Sequence, residues 1–250
     1  MKLTAHRGVS SLAPENTLAA FEQASLLDVE WIEIDVQLSQ DKVPVVIHDR
    51  TVNRCTNGSG RVADLSVQAL KSLDAGLWFG DAYQGETIPT LAETLLLAHR
   101  HGLTVNIELK HYEGDDIELL CEQVKMVMTE LNVASQHVLF SSFCTQALQT
   151  MQRIMPTIRR GQLWQQIPAD ALSLLSDLDA YSVHCDYRFL DEKTARWIKS
   201  SGYQLYCYTP NHPELVEPLW GWGVDMMISD APQDYLSQSS TQRTQEPVEA

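Results

Sequence analysis

The chain has 250 residues, 44% of them hydrophobic, and a formal net charge of −15. That length suits one α/β barrel domain with a sizeable core, and no apolar run approaches the ~20 residues of a membrane span, so stable membrane insertion is not expected. The acidity disfavours nucleic acid or an anionic membrane as partner, while five scattered cysteines without a CxxC pair (Cys55, Cys121, Cys144, Cys185 and Cys207) indicate reduced thiols in a cytoplasmic protein, not disulfides or a zinc site.

Residues 2–6 read as a first strand, entered without the apolar stretch of a signal peptide, and Arg7-Gly8 as the turn that ends it. Pro14-Glu15-Asn16-Thr17 opens a helix, with Asn16 as the expected cap and Leu18, Phe21 and Leu26 as its apolar stripe. Residues 30–49 are the organising stretch. In Trp31-Ile32-Glu33-Ile34-Asp35-Val36 the alternation is strict, with Ile32, Ile34 and Val36 on one face and Glu33 and Asp35 on the other. Two carboxylates about 7 Å apart along a strand are ordinary solvated charges on an open sheet. Inside a closed barrel they repel each other unless a cation lies between them.

A turn at Gln40-Asp41-Lys42 leads to a second extended run ending on His48-Asp49. Over residues 50–89 the periodicity breaks down, apart from a short helix after Ser66 and an aromatic group of Trp78, Phe79 and Tyr83. A connection of that length in a compact domain acts as a lid or binding segment, or covers one end of the barrel. Thr90-Leu91-Ala92-Glu93 is a capping box for a helix that stops before Gly102. Residues 103–110 repeat the earlier pattern, with Leu103, Val105, Ile107 and Leu109 facing one way and Thr104, Asn106, Glu108 and Lys110 the other. Helices are expected at 115–131, 145–155, 169–175, 191–200 and 213–219, and strands at 137–141, 158–163, 180–185, 203–208 and 224–228. The Ser/Gln/Thr-rich residues 237–250 read as a disordered tail.

Eight or nine β segments alternating with helices indicate a parallel sheet and, at this length, an α/β (β/α)8 TIM barrel over residues 1–236, with a small insertion after the second strand region at 50–89. An open doubly wound sheet is the alternative, but no Gly-rich phosphate loop follows the first strand. Catalytic groups of such barrels sit at the carboxyl ends of the strands, and ionisable residues fall there repeatedly: His6-Arg7, Glu33 and Asp35, His48-Asp49, Glu108 and Lys110. The three carboxylates Glu33, Asp35 and Glu108 offer oxygen ligands to a hard cation, Mg²⁺ or Ca²⁺. His6 and His48 have the chemistry of a general base and a general acid. Arg7 and Lys110 can hold a phosphoryl group, which answers how so acidic a chain binds an anion. Taken singly each signal is ordinary, since Glu33 and Asp35 could equally form salt bridges. His99, His101, His111, His137, His184 and His212 read as structural or solvated. Together the set describes phosphodiester cleavage.

The ordered motifs His6-Arg7-Gly8, Pro14-Glu15-Asn16-Thr17 with Phe21, Glu33-Ile34-Asp35-Val36, Pro44-Val45-Val46-Ile47-His48-Asp49, Asn106-Ile107-Glu108-Leu109-Lys110, Ser142-Phe143, and Gly223-Val224-Asp225 with Ser229-Asp230 resemble the glycerophosphodiester phosphodiesterases of the short cytoplasmic bacterial type. The resemblance runs from His6 to about Pro232. It implies a barrel enzyme that hydrolyses small glycerophosphodiesters to glycerol 3-phosphate and an alcohol. It also implies His6 and His48 as the acid/base pair, Glu33, Asp35 and Glu108 as ligands of a divalent metal, and Arg7 and Lys110 on the phosphate. The attack is by a neighbouring glycerol hydroxyl through a cyclic phosphate, or by water; the residues do not distinguish these. A lysophospholipase D acting on lysolipids, with Trp78, Phe79 and Tyr83 supplying an apolar groove, is the alternative among enzymes, and a catalytically silent phosphate-binding barrel the alternative outside them. Two positions depart from the family pattern: Tyr208-Thr209-Pro210-Asn211 stands where Trp-Thr-Val-Asn is frequent, and Met226 where a glycine is. The Tyr208 ring is still expected to form a pocket wall. Headgroup preference and oligomeric state are not legible.

Overall fold

The structure, a computed structural model, describes residues 2–236; the tail expected at 237–250 lies outside the described residues. The order of elements is β1 (Lys2–His6), α1 (Leu18–Leu26), β2 (Trp31–Leu38), β3 (Pro44–Val46), α2 (Val67–Lys71), α3 (Leu91–His101), β4 (Thr104–Leu109), α4 (Ile117–Glu130), β5 (Val138–Ser142), α5 (Thr145–Ile154), β6 (Arg159–Trp164), α6 (Ala171–Asp177), β7 (Ser182–Asp186), α7 (Glu192–Ser200), β8 (Gln204–Tyr208), α8 (Pro213–Trp222) and β9 (Met226–Ser229).

Each of β1, β2 and β4 to β9 pairs in parallel with its neighbours, and the β1–β2 pairing closes the ring. This is a (β/α)8 barrel, and closure excludes the open doubly wound sheet. Parallel strands need crossovers, and the helices supply them while covering the outer face. β3 is the exception: it pairs antiparallel with β2, Val36 opposite Val46, and lies outside the ring.

The outward residues of the strands pack against helices in two apolar layers. One includes Ile32, Ile34, Val105 and Ile107 with Phe21, Leu95 and Leu148; the other includes Val183, Leu205 and Met227 with Ile198 and Val216. The interior of the barrel is filled by Trp31, Leu139, Tyr206, Met226 and Ile228. Inward positions nearer the carboxyl ends carry polar groups instead, so the apolar plug ends where a site begins.

Local signals explain most element ends. The capping box Thr90/Glu93 forms with both reciprocal bonds, and Gly102 takes the left-handed conformation that ends α3. Ser66 caps α2 through a bond from the Ala69 amide. The expected cap of α1 is corrected: Thr17, not Asn16, accepts from the Ala20 amide. Asn16 has a φ of 55° and turns its side chain toward β2 instead. Residues 50–89 form a small unit with a core of their own, in which Val52, Val62, Leu70 and Ile88 pack with Val45 and Ile47 of the β3 region. Trp78, Phe79 and Tyr83 stack edge to face on one another.

Gly8 makes the turn from β1 to α1 possible. Its φ is 78°, and a Cβ there would lie 2.6 Å from the carbonyl carbon and Cβ of Ala20. A side chain must both adopt a disfavoured backbone and push α1 away. Gly8→Ala is expected to cost about 2 kcal/mol or more, read as a lower urea midpoint with an unchanged slope.

Candidate active site

Strand register brings the sequence-selected residues together. His6 lies opposite Glu33, Glu33 opposite Asn106, and Asp35 opposite Glu108, so β1, β2 and β4 present them in adjacent rows inside the mouth. Glu33 and Asp35 are buried to 3% and 1% exposure. One ligand oxygen from each of Glu33, Asp35 and Glu108 lies within 4.8 Å of the others. Lys110 follows β4 and points back, its Nζ 2.7 Å from Glu108 Oε1 and 3.3 Å from Asp35 Oδ1. Arg7, with a φ of 58°, donates its backbone N–H to Glu33 Oε2 at 3.1 Å. Its guanidinium meets Glu15 at 2.8 Å and Asp35 at 3.3 Å. Asn16 donates to Asp35 Oδ2 at 2.9 Å.

These contacts set the charge states. Burial works to raise both buried carboxyls. At Asp35 the attraction of Lys110 and Arg7 overcomes it, and the group stays well below the usual carboxylate range. At Glu33 burial is reinforced by repulsion from Asp35 and Glu108, and the carboxyl is held well above it. For Arg7 and Lys110 burial opposes the charge, but the facing carboxylates win and both stay cationic.

The three acids fit a divalent cation. Three carboxylates face two fixed cations; Glu33 Oε1 is buried without a hydrogen-bond partner, and Asp35 Oδ1 has no hydrogen bond beyond its 3.3 Å ion pair with Lys110. Unsatisfied buried carboxylate oxygens in an all-oxygen donor set are what a hard cation requires.

The two histidines are anchored alike. His6 Nδ1 lies 2.6 Å from Asp230 Oδ1, and Asp230 also accepts from Ser10 at 2.9 Å and Asn211 at 2.7 Å. His48, just beyond β3, has its Nδ1 2.7 Å from Asp49 Oδ1. Tyr112 donates to the His48 carbonyl. Arg54 binds both oxygens of Asp49 at 2.7 and 2.9 Å and both of Glu15 at 2.7 and 2.8 Å, so the insertion braces the site from behind. Arg54 and His48 hold Asp49 down at about 2, against the opposing effect of its burial. Because a carboxylate only accepts, each Nδ1 carries a proton, so Nε2 is the nitrogen of each ring that is left to exchange a proton.

His6, Arg7, Glu33, His48, Glu108 and Lys110 all line one cavity of about 460 Å³, with Asp35 behind them. Its floor holds Asn106, Ser141 and His184, each buried with an unpartnered polar atom. Burial pushes His184 down to about 3, so it is neutral. In the sequence His184 reads as structural or solvated; it is fully buried, bonded to Ser182 and packed on Tyr206, and the alternation Ser182, His184, Asp186 along β7 accounts for its inward position. Asp230 was visible as the end of a motif, but nothing local linked it to a residue 224 positions earlier. None of residues 50–89 lines this cavity; the insertion reaches the site through Arg54, which binds Asp49 and Glu15.

A family model described as the glycerophosphoryl diester phosphodiesterase family matches residues 6–234. The chain belongs to this family. It is therefore an enzyme of the phosphoric diester hydrolase class, as its motifs implied. A glycerophosphodiester phosphodiesterase of Caldanaerobacter subterraneus subsp. tengcongensis is 37% identical over 237 residues, covering 93% of this chain and 95% of that one. One from Bacillus subtilis is 31% identical over 243 residues, covering 91% and 83%. Among solved structures, an Oleispira antarctica phosphodiesterase in complex with the product sn-glycerol-3-phosphate superposes with a TM-score of 0.90 at 37% identity, covering 96% of this chain and 97% of that one.

A cation in the acidic trio should stabilise the fold. At about 100 times its Kd, Mg²⁺ or Ca²⁺ is expected to add ~2.7 kcal/mol, a rise of roughly 5–10 °C in Tm for a chain of this size. Glu33→Gln and Asp35→Asn should lose that rise. The proton that burial favours on Glu33 competes with the cation, so the rise should shrink as pH falls through that raised value. A thermal melt of wild type indifferent to both ions would contradict the assignment.

Proposed function

We propose that the protein hydrolyses small glycerophosphodiesters to glycerol 3-phosphate and an alcohol, using a divalent cation held by Glu33, Asp35 and Glu108 and acid/base catalysis by His6 and His48. The observation that carries this reading is the acidic trio, whose ligand oxygens lie within 4.8 Å of one another, with Glu33 and Glu108 lining the same cavity as two imidazoles that each have Nδ1 tied to an aspartate. The product named in the Oleispira antarctica complex supports the substrate class.

In this reading Arg7 and Lys110 hold the phosphate and keep it beside the carboxylates that would otherwise repel it. One imidazole takes the proton of the attacking hydroxyl through Nε2 as the new P–O bond forms. The bond to the leaving oxygen breaks, and the other imidazole, protonated, donates to that oxygen. A cyclic phosphate route and direct attack by water use these groups equally. A bound Mg²⁺ or Ca²⁺ would offset charge on the phosphoryl oxygens and acidify a hydroxyl bound to it. Asp230 and Asp49 fix which ring nitrogen is free, and so act as positioning residues.

The lysolipid alternative needs an apolar groove from Trp78, Phe79 and Tyr83. They pack on one another and do not line the cavity, which favours the small diester. Among the described residues no helix is long and apolar enough to cross a membrane. The five free thiols support a reducing, cytoplasmic setting.

Release of glycerol 3-phosphate from a panel of glycerophosphodiesters, with Mg²⁺ or Ca²⁺ and then with EDTA, tests the reading. Activity should disappear with the chelator, and His6→Ala or His48→Ala should lower kcat by roughly 10²–10⁴-fold. Normal turnover by either variant, or in EDTA, would overturn it. Asp230→Asn should lower kcat by about 10²–10⁴-fold while glycerol 3-phosphate still binds, since the amide no longer fixes the His6 tautomer; loss of product affinity of the same size would point instead to collapse of the site.

A further inference from the structure

The cavity has two unlike walls. The β1–β2–β4 side is densely charged, whereas the β5–β8 side is formed by Phe143, Leu163, Tyr187, Tyr208 and Thr209, with a single ion pair, Asp186–Arg188. Nothing in the proposed chemistry uses that pair.

Its two members differ in accessibility. The Asp186 side chain, at the end of β7, is 5% exposed, while Arg188 stands at the rim with 66% of its side chain exposed. The tight turn over Tyr187–Phe189 folds Arg188 back onto the acid. Its Nη2 lies 2.6 Å from Oδ2, its Nε 3.0 Å from Oδ1 and 3.2 Å from Oδ2, and its backbone N–H 3.0 Å from Oδ1. Without the guanidinium, a buried carboxylate would lie on an aromatic wall in a chain of net charge −15. That combination attracts an alkylammonium group, through the carboxylate and the ring faces together. With the guanidinium in place, the same wall is neutral.

We propose that Arg188 is a specificity-determining residue: by covering Asp186 it withholds an ammonium subsite, so that the wall takes uncharged headgroup alcohols as readily as cationic ones. The inference rests on the glycerophosphodiester reading above. There the glycerol hydroxyls, being oxygen ligands, lie toward the acidic trio, and the departing alcohol faces Phe143 and Tyr208.

The test compares kcat/KM for glycerophosphocholine, with a cationic headgroup, and glycerophosphoglycerol, with a neutral one, in wild type, Arg188→Gln and the double variant Asp186→Asn/Arg188→Gln. Arg188→Gln should raise the choline-to-glycerol ratio about tenfold, mainly through a lower KM for the choline ester. The double variant should return the ratio to near the wild-type value, which a merely structural role for the pair would not do. An unmoved ratio in Arg188→Gln, or a rise that persists in the double variant, overturns the inference while the hydrolytic reading stands. No glycerol 3-phosphate from either diester with wild type would remove both.

Discussion

The structure depends on enclosing three carboxylates at one end of a closed barrel. An isolated buried charge costs several kcal/mol, and here Glu33, Asp35 and Glu108 converge where the apolar filling of Trp31, Leu139, Tyr206, Met226 and Ile228 stops. Arg7 and Lys110 offset part of the repulsion, and Asn16 supplies a neutral donor. What they leave is visible as a Glu33 oxygen without a partner, an Asp35 oxygen met only by the Lys110 charge, and a Glu33 carboxyl held above its ordinary range. The residual negative charge of the trio is compatible with a divalent cation, which would complete the balance.

That constraint accounts for features that look unrelated along the chain. The left-handed Arg7 delivers a backbone N–H to Glu33, and the left-handed Asn16 sends its amide to Asp35; both are strained conformations held by the site they serve. The insertion after β3 contributes no residue to the cavity wall, yet Arg54 ties Glu15, behind Arg7, to Asp49, behind His48. A charged wall has thus been built from β1, β2 and β4 and their supports. The opposite wall is aromatic, and its one buried acid is neutralised by a neighbour two residues away.

Much of the site was legible because it is written at strand spacing. Glu33 and Asp35 share a face with period two, and so do Asn106, Glu108 and Lys110, so a parallel register alone aligns Asp35 with Glu108. His48 was legible by its motif, although it leaves a short antiparallel strand and not a barrel strand. The supports were less legible. Asn16 read as a helix cap because the residue type suits a cap, but Thr17 beside it does that work. His184 reads as structural or solvated, and only the placement of Ser182 and Asp186 on the same strand face decides for the buried, inward position it takes.

The sequence by itself determined the alternation of strands and helices and the turn chemistry at Gly8 and Gly102, since each depends on a few adjacent residues, and it picked out the candidate acids, imidazoles and cations by their shared place at strand ends. Only the tertiary structure decided that β1 closes on β2, that Asp230 reaches His6 from the far end of the chain, and that Arg188 covers Asp186 at the rim of the cavity. Those outcomes depend on the curvature and register of the whole ring. No local pattern encodes them, because the partners meet only after every intervening strand has taken its place.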